Sequence, residues 1–251
     1  MKLPLYIISD NHFMLEDSIE EKSRRKLLFE LFGEIKQTGG TLIIGGDFFD
    51  FWVEFMTGPP LYYDDILEEL EILKNNNINI HYVAGNHDYW DYGYFTKKFG
   101  CTLHKQDFEF SINNIKILIT HGDGLLKHDS GYRFMKKIIR NKLFTFFVRL
   151  IPKKLGCEIA KKISSTKKKF GREENLDLQY KNELKEFANT KIKNQNFDAV
   201  LMGHYHQIGI ENINNKYFIH LGDWINNYTV TTYDKKNQWQ QKNIGAIQDN
   251  K

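Results

Sequence analysis

The sequence predicts a layered α/β sandwich carrying a helical insertion. Three observations lead there. Strand-like and helix-like segments alternate as β-α-β-α-β from Leu5 to His87, an order that favours a sheet covered by helices. Five short clusters of Asp, Asn and His recur along the chain, four of them directly after an apolar, β-branched run. Between residues 133 and 193 the alternation gives way to a mostly helical, largely basic stretch.

Leu5 to Ser9 reads as a buried strand. Asp17 to Lys36 reads as a helix, because Leu27, Leu28, Leu31, Phe32 and Ile35 follow helical spacing, and Gly39-Gly40 stops it. Leu42-Ile43-Ile44 is the second strand. Tyr63 to Asn75 is a second helix, with Ile66, Leu67, Leu70 and Leu73 apolar, and Ile78 to Ala84 is a third strand. Phe108–Ile112 and Ile115–Ile119 flank Asn113-Asn114, and Ile208–Glu211 and Lys216–Leu221 flank Asn214-Asn215; both patterns are hairpin signals. Arg133 to Arg172 is helical, broken at Pro152, and Leu176 to Lys193 is a polar helical return. Ala199–Met202 is a strand, and Trp224 to Tyr233 offers the last one. The expected organisation is one domain over residues 1–235, with the insertion at about 133–193, then a polar, frayed tail over 236–251.

The chain has 251 residues, 41% of them hydrophobic, enough for one domain with a full core and a cap. The opening Met1–Ile8 run is too short for a secretory signal, and no apolar stretch reaches membrane-spanning length. Cys101 and Cys157 form no spacing motif and fit a reduced, cytoplasmic setting as packing residues. The net charge of +3 hides an asymmetry. Arg133 to Arg172 holds fourteen basic residues against one acid, Glu158, so this block carries +13 and the remainder −10. A basic block on an acidic body points to a localised anionic partner.

The five clusters are Asp10-Asn11-His12, Gly46-Asp47-Phe48-Phe49-Asp50, Gly85-Asn86-His87-Asp88, His121-Gly122-Asp123 and Gly203-His204-Tyr205-His206. Strand ends in an open α/β sheet point into one crevice, so clusters far apart in sequence converge. Any one of them is weak: Asp-x-His is common by chance, and a lone Gly-His-x-His is more often a turn. All five in this order point to a metal centre. The candidate ligands are Asp10, His12, Asp47, Asn86, His121, His204 and His206. With no Cys among them, they suit borderline to hard divalent metals, enough for two ions and a hydrolase.

This order of motifs resembles the calcineurin-like metallophosphoesterase superfamily. The resemblance implies an α-β-β-α sandwich. It places Asp10, His12, Asp47 and His206 on one metal and Asp47, Asn86, His121 and His204 on the other, with Asp47 shared. It implies two ions, most simply Mn²⁺, activating water for attack on phosphorus. His87 would stand at the leaving group, oriented by Asp50, the arrangement of an acid–base pair. Asp88 and Asp123 would hold the ligand loops.

Phe48-Phe49-Asp50-Phe51-Trp52, the run from His121 through Asp129-Ser130-Gly131-Tyr132, and Leu221-Gly222-Asp223-Trp224 narrow the resemblance to the UDP-2,3-diacylglucosamine diphosphatase family of the lipid A pathway. It spans Leu5 to about Tyr233. It implies hydrolysis of a UDP-linked diacyl amino sugar, with substrate contacts from Asn86, His87, Asp129 and His204. The well-studied branch has an arginine where this chain has His87. The insertion fits a lipid on its own terms. Met135, Ile139, Leu143, Phe147 and Leu150 fall on one helical face, and a basic helix with an apolar face suits the anionic inner surface of the cytoplasmic membrane. The same aliphatic spacing argues against nucleic acid as partner of the basic block. Two alternatives remain at this level. One is a cap whose apolar face packs as ordinary core. The other is a soluble metal-dependent phosphatase or phosphodiesterase acting on nucleotides or another phosphorylated small molecule.

Overall fold

A computed structural model of the chain describes residues 1–164, 176–234, 236 and 238–245. Two β-sheets stack face to face, with helices on both outer faces. The first has the order β11-β10-β1-β2-β3-β4 and the second β5-β6-β7-β9-β8. In the first, β1 (Leu5–Ile8), β2 (Thr41–Ile44), β3 (Asn79–Val83) and β4 (Thr102–His104) are parallel, and β10 (Thr229–Tyr233) and β11 (Trp239–Asn243) continue antiparallel. In the second, β6 (Ile115–Thr120), β7 (Ala199–Met202) and β9 (Lys216–Leu221) are parallel, flanked by antiparallel β5 (Phe108–Ile112) and β8 (Ile208–Ile213).

Strand alternation assigns the layers, because successive side chains leave opposite faces. Leu5, Ile7 and Ile43 meet Ile117, Ile119, Ala199 and Leu201 between the sheets. Their neighbours Tyr6, Ile8, Leu42 and Ile44 pack outward with Leu28, Leu31 and Phe32 of α1 (Ile19–Thr38) and Ile66, Leu67 and Leu70 of α2 (Asp64–Asn75). Leu118, Val200 and Met202 face the other way, onto Leu184, Ala188 and Ile192 of α7 (Leu178–Asn194). The strands read as unbroken apolar runs because both faces are covered. The layered α-β-β-α sandwich is thereby the observed fold.

Both hairpins form where expected. Asn113, Asn114, Asn214 and Asn215 all have positive φ, the conformation a two-residue loop needs and Asn tolerates. Four expectations change. The tail is not frayed throughout, since β11 pairs with β10 over Trp239–Asn243. The last strand of the 224–233 segment starts at Thr229; Trp224 lies before it, buried, and donates its Nε1–H to the Thr229 carbonyl. A six-residue helix, α3 (Tyr94–Phe99), and the short β4 were too brief to read by periodicity. Among the described residues the basic part of the insertion is three helices, α4 (Ser130–Ile139), α5 (Lys142–Leu150) and α6 (Lys153–Ile163), so a single apolar face does not run through. The extra break falls at Asn141, whose side chain caps α5 by accepting the Leu143 N–H, the Ncap role Asn favours. Residues 165–175, which hold Lys167, Lys168, Lys169 and Arg172 of the basic block, lie outside the described residues.

Candidate metal centre

All five clusters follow the carboxyl ends of parallel strands: Asp10 after β1, Asp47 after β2, Asn86 after β3, His121 after β6 and His204 after β7. Two sheets thus feed one crevice. Backbone bonds lock the first two loops together, Asp10 N to Gly46 O and His12 N to Asp47 O, each 2.9 Å. Asp10, His12, Asp47, His204 and His206 all have positive φ. Such backbone costs of the order of 1–3 kcal/mol per residue and gathers at functional sites. Two motif glycines make the closure possible. A Cβ at Gly46 would overlap the His121 ring, and one at Gly85 would overlap the Asp47 carboxylate.

The side chains assemble into joined clusters. Ligand atoms of Asp10, His12 and His206 lie within 4.8 Å of one another, as do those of Asp47, His121 and His204. His12, Asp47 and His87 form a third such group that links the two. Asp47 Oδ2 stands 3.2 Å from His121 Nε2 and 3.8 Å from His12 Nε2, so it faces both sides. His206 Nε2 is 3.6 Å from Asp10 Oδ1, and Asn86 Oδ1 is 3.2 Å from His121 Nε2.

This donor set fits divalent cations. His121 Nδ1 lies 3.1 Å from the Gly45 carbonyl, which takes the ring proton there and leaves Nε2 as an acceptor. That Nε2 faces the oxygens of Asp47 and Asn86, so without a metal it carries a second proton that Asp47 accepts, and a divalent cation would take that proton's place among the three groups. Both ring nitrogens of His12 are buried without a hydrogen-bond partner. The protonation energetics have the same origin. Burial pushes the Asp10 carboxyl up to about 7 against the pull of His121, and the neighbouring Asp47 adds to the rise. Burial also opposes charge on Asp47, but His121 and His87 outweigh it and hold Asp47 well below the usual carboxylate range. Burial disfavours charged His121 as well, yet Asp47 drives it up to about 10. Burial lowers the pKa of His12.

His87 and Asp50 meet differently from the expectation. His87 Nδ1 is 2.7 Å from the Asp50 main-chain carbonyl, while the Asp50 carboxylate is 3.8 Å away. That carboxylate sits 3.7 Å from His12 Nδ1, between the two imidazoles. Burial opposes the charged form of His87, but Asp47 and the Asp50 carbonyl raise its pKa. Asp129 precedes α4, its carboxylate 3.4 Å from His128.

Buried polar groups hold these loops. Asp88 accepts from Phe48 N and Gly85 N, both at 2.7 Å, and from the Tyr82 hydroxyl, tying the Asp47 and Asn86 loops together. Asp123 accepts from Tyr132 (2.8 Å) and pairs with Lys136 (2.6 Å), fixing α4 over the His121 loop. The sequence reading missed Glu21, Arg24 and Arg25, all buried on α1. Arg24 donates to the carbonyls of Asn11, His12 and Trp224, and Glu21 accepts from Met14 N. Their signal was an acid followed by bases at i+3 and i+4 within a helix otherwise read for its apolar stripe.

The model of the calcineurin-like phosphoesterase family matches residues 3–208, which include all seven candidate ligands. This chain belongs to the calcineurin-like phosphoesterase family. It is 32% identical over 177 residues to the UDP-2,3-diacylglucosamine hydrolase of Proteus mirabilis (strain HI4320), covering 68% of this chain and 70% of that one. The enzyme of the same name from Neisseria meningitidis serogroup C (strain 053442) is 28% identical over 225 residues, 90% of this chain and 91% of the relative. That of Porphyromonas gingivalis (strain ATCC BAA-308 / W83) is 24% identical over 247 residues, 92% and 94%.

The cap of this family member exposes its apolar residues. Phe134, Ile138, Leu143, Phe146, Phe147 and Leu150 are 47–71% exposed. α4 buries no residue and α5 only Thr145. The alternative of an apolar face packed as ordinary core therefore fails for these two helices. Cations on rings anchor the cap instead: Arg140 stacks 3.9 Å from Tyr89 and Arg149 4.0 Å from Tyr92, while Trp90 Nε1 donates to Ile139 O. Among the described residues, no helix is long and apolar enough to cross a membrane.

Proposed function

We propose that this protein hydrolyses UDP-2,3-diacylglucosamine to UMP and 2,3-diacylglucosamine 1-phosphate, a step of lipid A biosynthesis. The observation that carries the lipid assignment is the exposed apolar surface on α4 and α5, with α4 docked on the Asn86 and His121 loops through Arg140 and Lys136. A small-molecule phosphatase needs no such surface, whereas a two-chain lipid does, and exposed patches of this kind mark interaction sites. The names of the relatives support the same substrate. Lys137 and Lys142, both exposed, accompany the apolar residues, a composition that favours peripheral attachment to the anionic inner face of the cytoplasmic membrane.

Asp10, His12 and His206 would hold one ion and Asn86, His121 and His204 the other, with Asp47 on both. When bound, two divalent ions, in our reading Mn²⁺, lower the pKa of a water and neutralise charge on phosphoryl oxygens. The chain's own groups do the rest. The Gly45 carbonyl holds His121 in the tautomer that presents Nε2. The Asp50 carbonyl fixes the Nδ1 proton of His87, so Nε2 is the nitrogen that serves the leaving sugar phosphate with a proton as the α-phosphorus–oxygen bond breaks. The Asp50 carboxylate, lying between His87 and His12, positions both rings. Asn86, His87, Asp129 and His204 would contact substrate. The test is Mn²⁺-supported turnover of UDP-2,3-diacylglucosamine with both products identified by mass.

A further inference from the structure

A cavity of 480 Å³ opens beside the second cluster. Its walls come from four elements that the sequence keeps far apart. Ala84 follows β3, His121 follows β6, Lys105 and Gln106 lie on the β4–β5 connection, and Lys136 of α4 and Arg140 at its C-terminal end form the roof. The volume is within the range of ligand pockets, roughly 300–1,000 Å³. Because His121 forms part of the wall, a phosphate ester held between His121 and Asn86 sends one substituent into this space.

The chemistry of the walls selects that substituent. Beside His121, Lys136 and Arg140 lie 2.6 and 3.5 Å from Asp123, and Asp107 and Glu109 also line the wall, so its cations and acids balance. Farther out, the Lys105 ammonium is held at 2.7 Å on the Asp91 carbonyl and 5.1 Å from the rings of both Tyr89 and Tyr92. The Gln106 carboxamide beside it supplies both a donor and an acceptor. Cations beside His121, with an amide and carboxylates able to pair with sugar hydroxyls and a base edge, suit a nucleoside monophosphate; walls this charged do not suit an acyl chain. A second cavity, of 290 Å³, lies at Asp50, walled by Met14, Leu15 and Glu16 and by Lys161 of α6. The centre therefore adjoins two cavities, a larger one at His121 and a smaller one at Asp50.

We infer that the cavity beside His121 is the subsite for the nucleoside monophosphate half of the substrate, with the lipid-bearing half crossing to the Asp50 and His87 flank. The assignment rests on the proposed reading that the substrate is a nucleotide-linked lipid. It orients that substrate: the phosphate that stays with the nucleoside lies at His121, and the departing sugar phosphate lies at His87.

The subsite is tested by calorimetric titration of Mn²⁺-loaded protein with UMP and, separately, with inorganic phosphate. UMP should bind wild type at least tenfold more tightly than phosphate. Gln106→Trp, which fills the cavity, and Lys105→Ala, which removes its outer cation, should each cut UMP affinity about tenfold and leave phosphate affinity unchanged, with melting temperatures confirming the fold. UMP binding no tighter than phosphate in wild type, or unchanged in both variants, overturns the subsite. The substrate reading is scored separately on wild type with UDP-2,3-diacylglucosamine. Nucleotide selectivity without cleavage of that lipid sinks the reading and keeps the subsite. Cleavage with variant-insensitive UMP binding does the reverse.

Discussion

Replacing Leu143 and Phe147 together by Asp separates the two roles an apolar cap can have. The side chains are 71% and 65% exposed, so the fold loses little when they change. Exposed substitutions shift stability by about 0.5 kcal/mol or less each, whereas truncating a buried Leu or Phe costs about 2–5 kcal/mol. Binding is a different matter. Covering a fully exposed Leu or Phe side chain contributes about 1.5–3 kcal/mol, and about two-thirds of each remains to be covered here, which gives about 2–4 kcal/mol for the pair. At about 1.4 kcal/mol per factor of ten, kcat/KM on the diacyl substrate should fall about 30- to 700-fold. Hydrolysis of bis-p-nitrophenyl phosphate, which has no acyl chains, should persist, and the melting temperature should move by no more than a few degrees. Equal loss on both substrates with a large drop in melting temperature would show that these residues stabilise the fold, and the lipid argument would lose its structural basis.

Other consequences are open to measurement. His87→Ala should lower turnover by about 10²–10⁴ with metal content unchanged, whereas Asp47→Ala should lose metal as well; a rise in KM alone for His87→Ala would make that residue a ground-state phosphate contact. Arg24→Met breaks a buried pair with Glu21 and strands the carbonyls of Asn11 and Trp224, at a cost of about 3–5 kcal/mol, so the melting temperature should fall by about 6–20 °C; no change would mean the loop holds itself. His81 titrates at about 4 in the fold because burial disfavours its charged form and His104 lies 3.2 Å away, against 6.5 for the free side chain. The unfolded chain therefore binds the additional proton between those values, so His81's contribution is complete above pH 6.5 and is lost as pH falls toward 4. His81→Phe, stacking on Phe108, should flatten the decline in melting temperature between pH 7 and 5; an unchanged slope would assign it to other groups.

The sandwich was legible because its strands are short, apolar and buried on both faces, and because the two Asn-Asn loops announce their hairpins. The ligand set was legible for the same reason: each cluster follows one such strand. Other features left weaker traces. Positive φ at Asp10, His12, Asp47, His204 and His206 is imposed by tertiary contacts and has no compositional mark. Asn141 reads as an ordinary polar residue until its cap splits the insertion. Glu21, Arg24 and Arg25 look like a solvated helical face, because nothing local reveals that three carbonyls from distant loops converge on Arg24. β11 is polar along its length and is held by pairing with β10, so periodicity misses it.

The proposed reaction is cleavage, at a two-metal centre, of the pyrophosphate of a lipid-linked nucleotide at its α phosphorus. Hydrolysis of UDP-2,3-diacylglucosamine in ¹⁸O-water with Mn²⁺-loaded protein tests it most directly. The account predicts UMP carrying one ¹⁸O and an unlabelled 2,3-diacylglucosamine 1-phosphate. Label in the sugar phosphate would place attack on the other phosphorus and reverse the proposed orientation, and no turnover of this lipid alongside active diester hydrolysis would contradict the substrate.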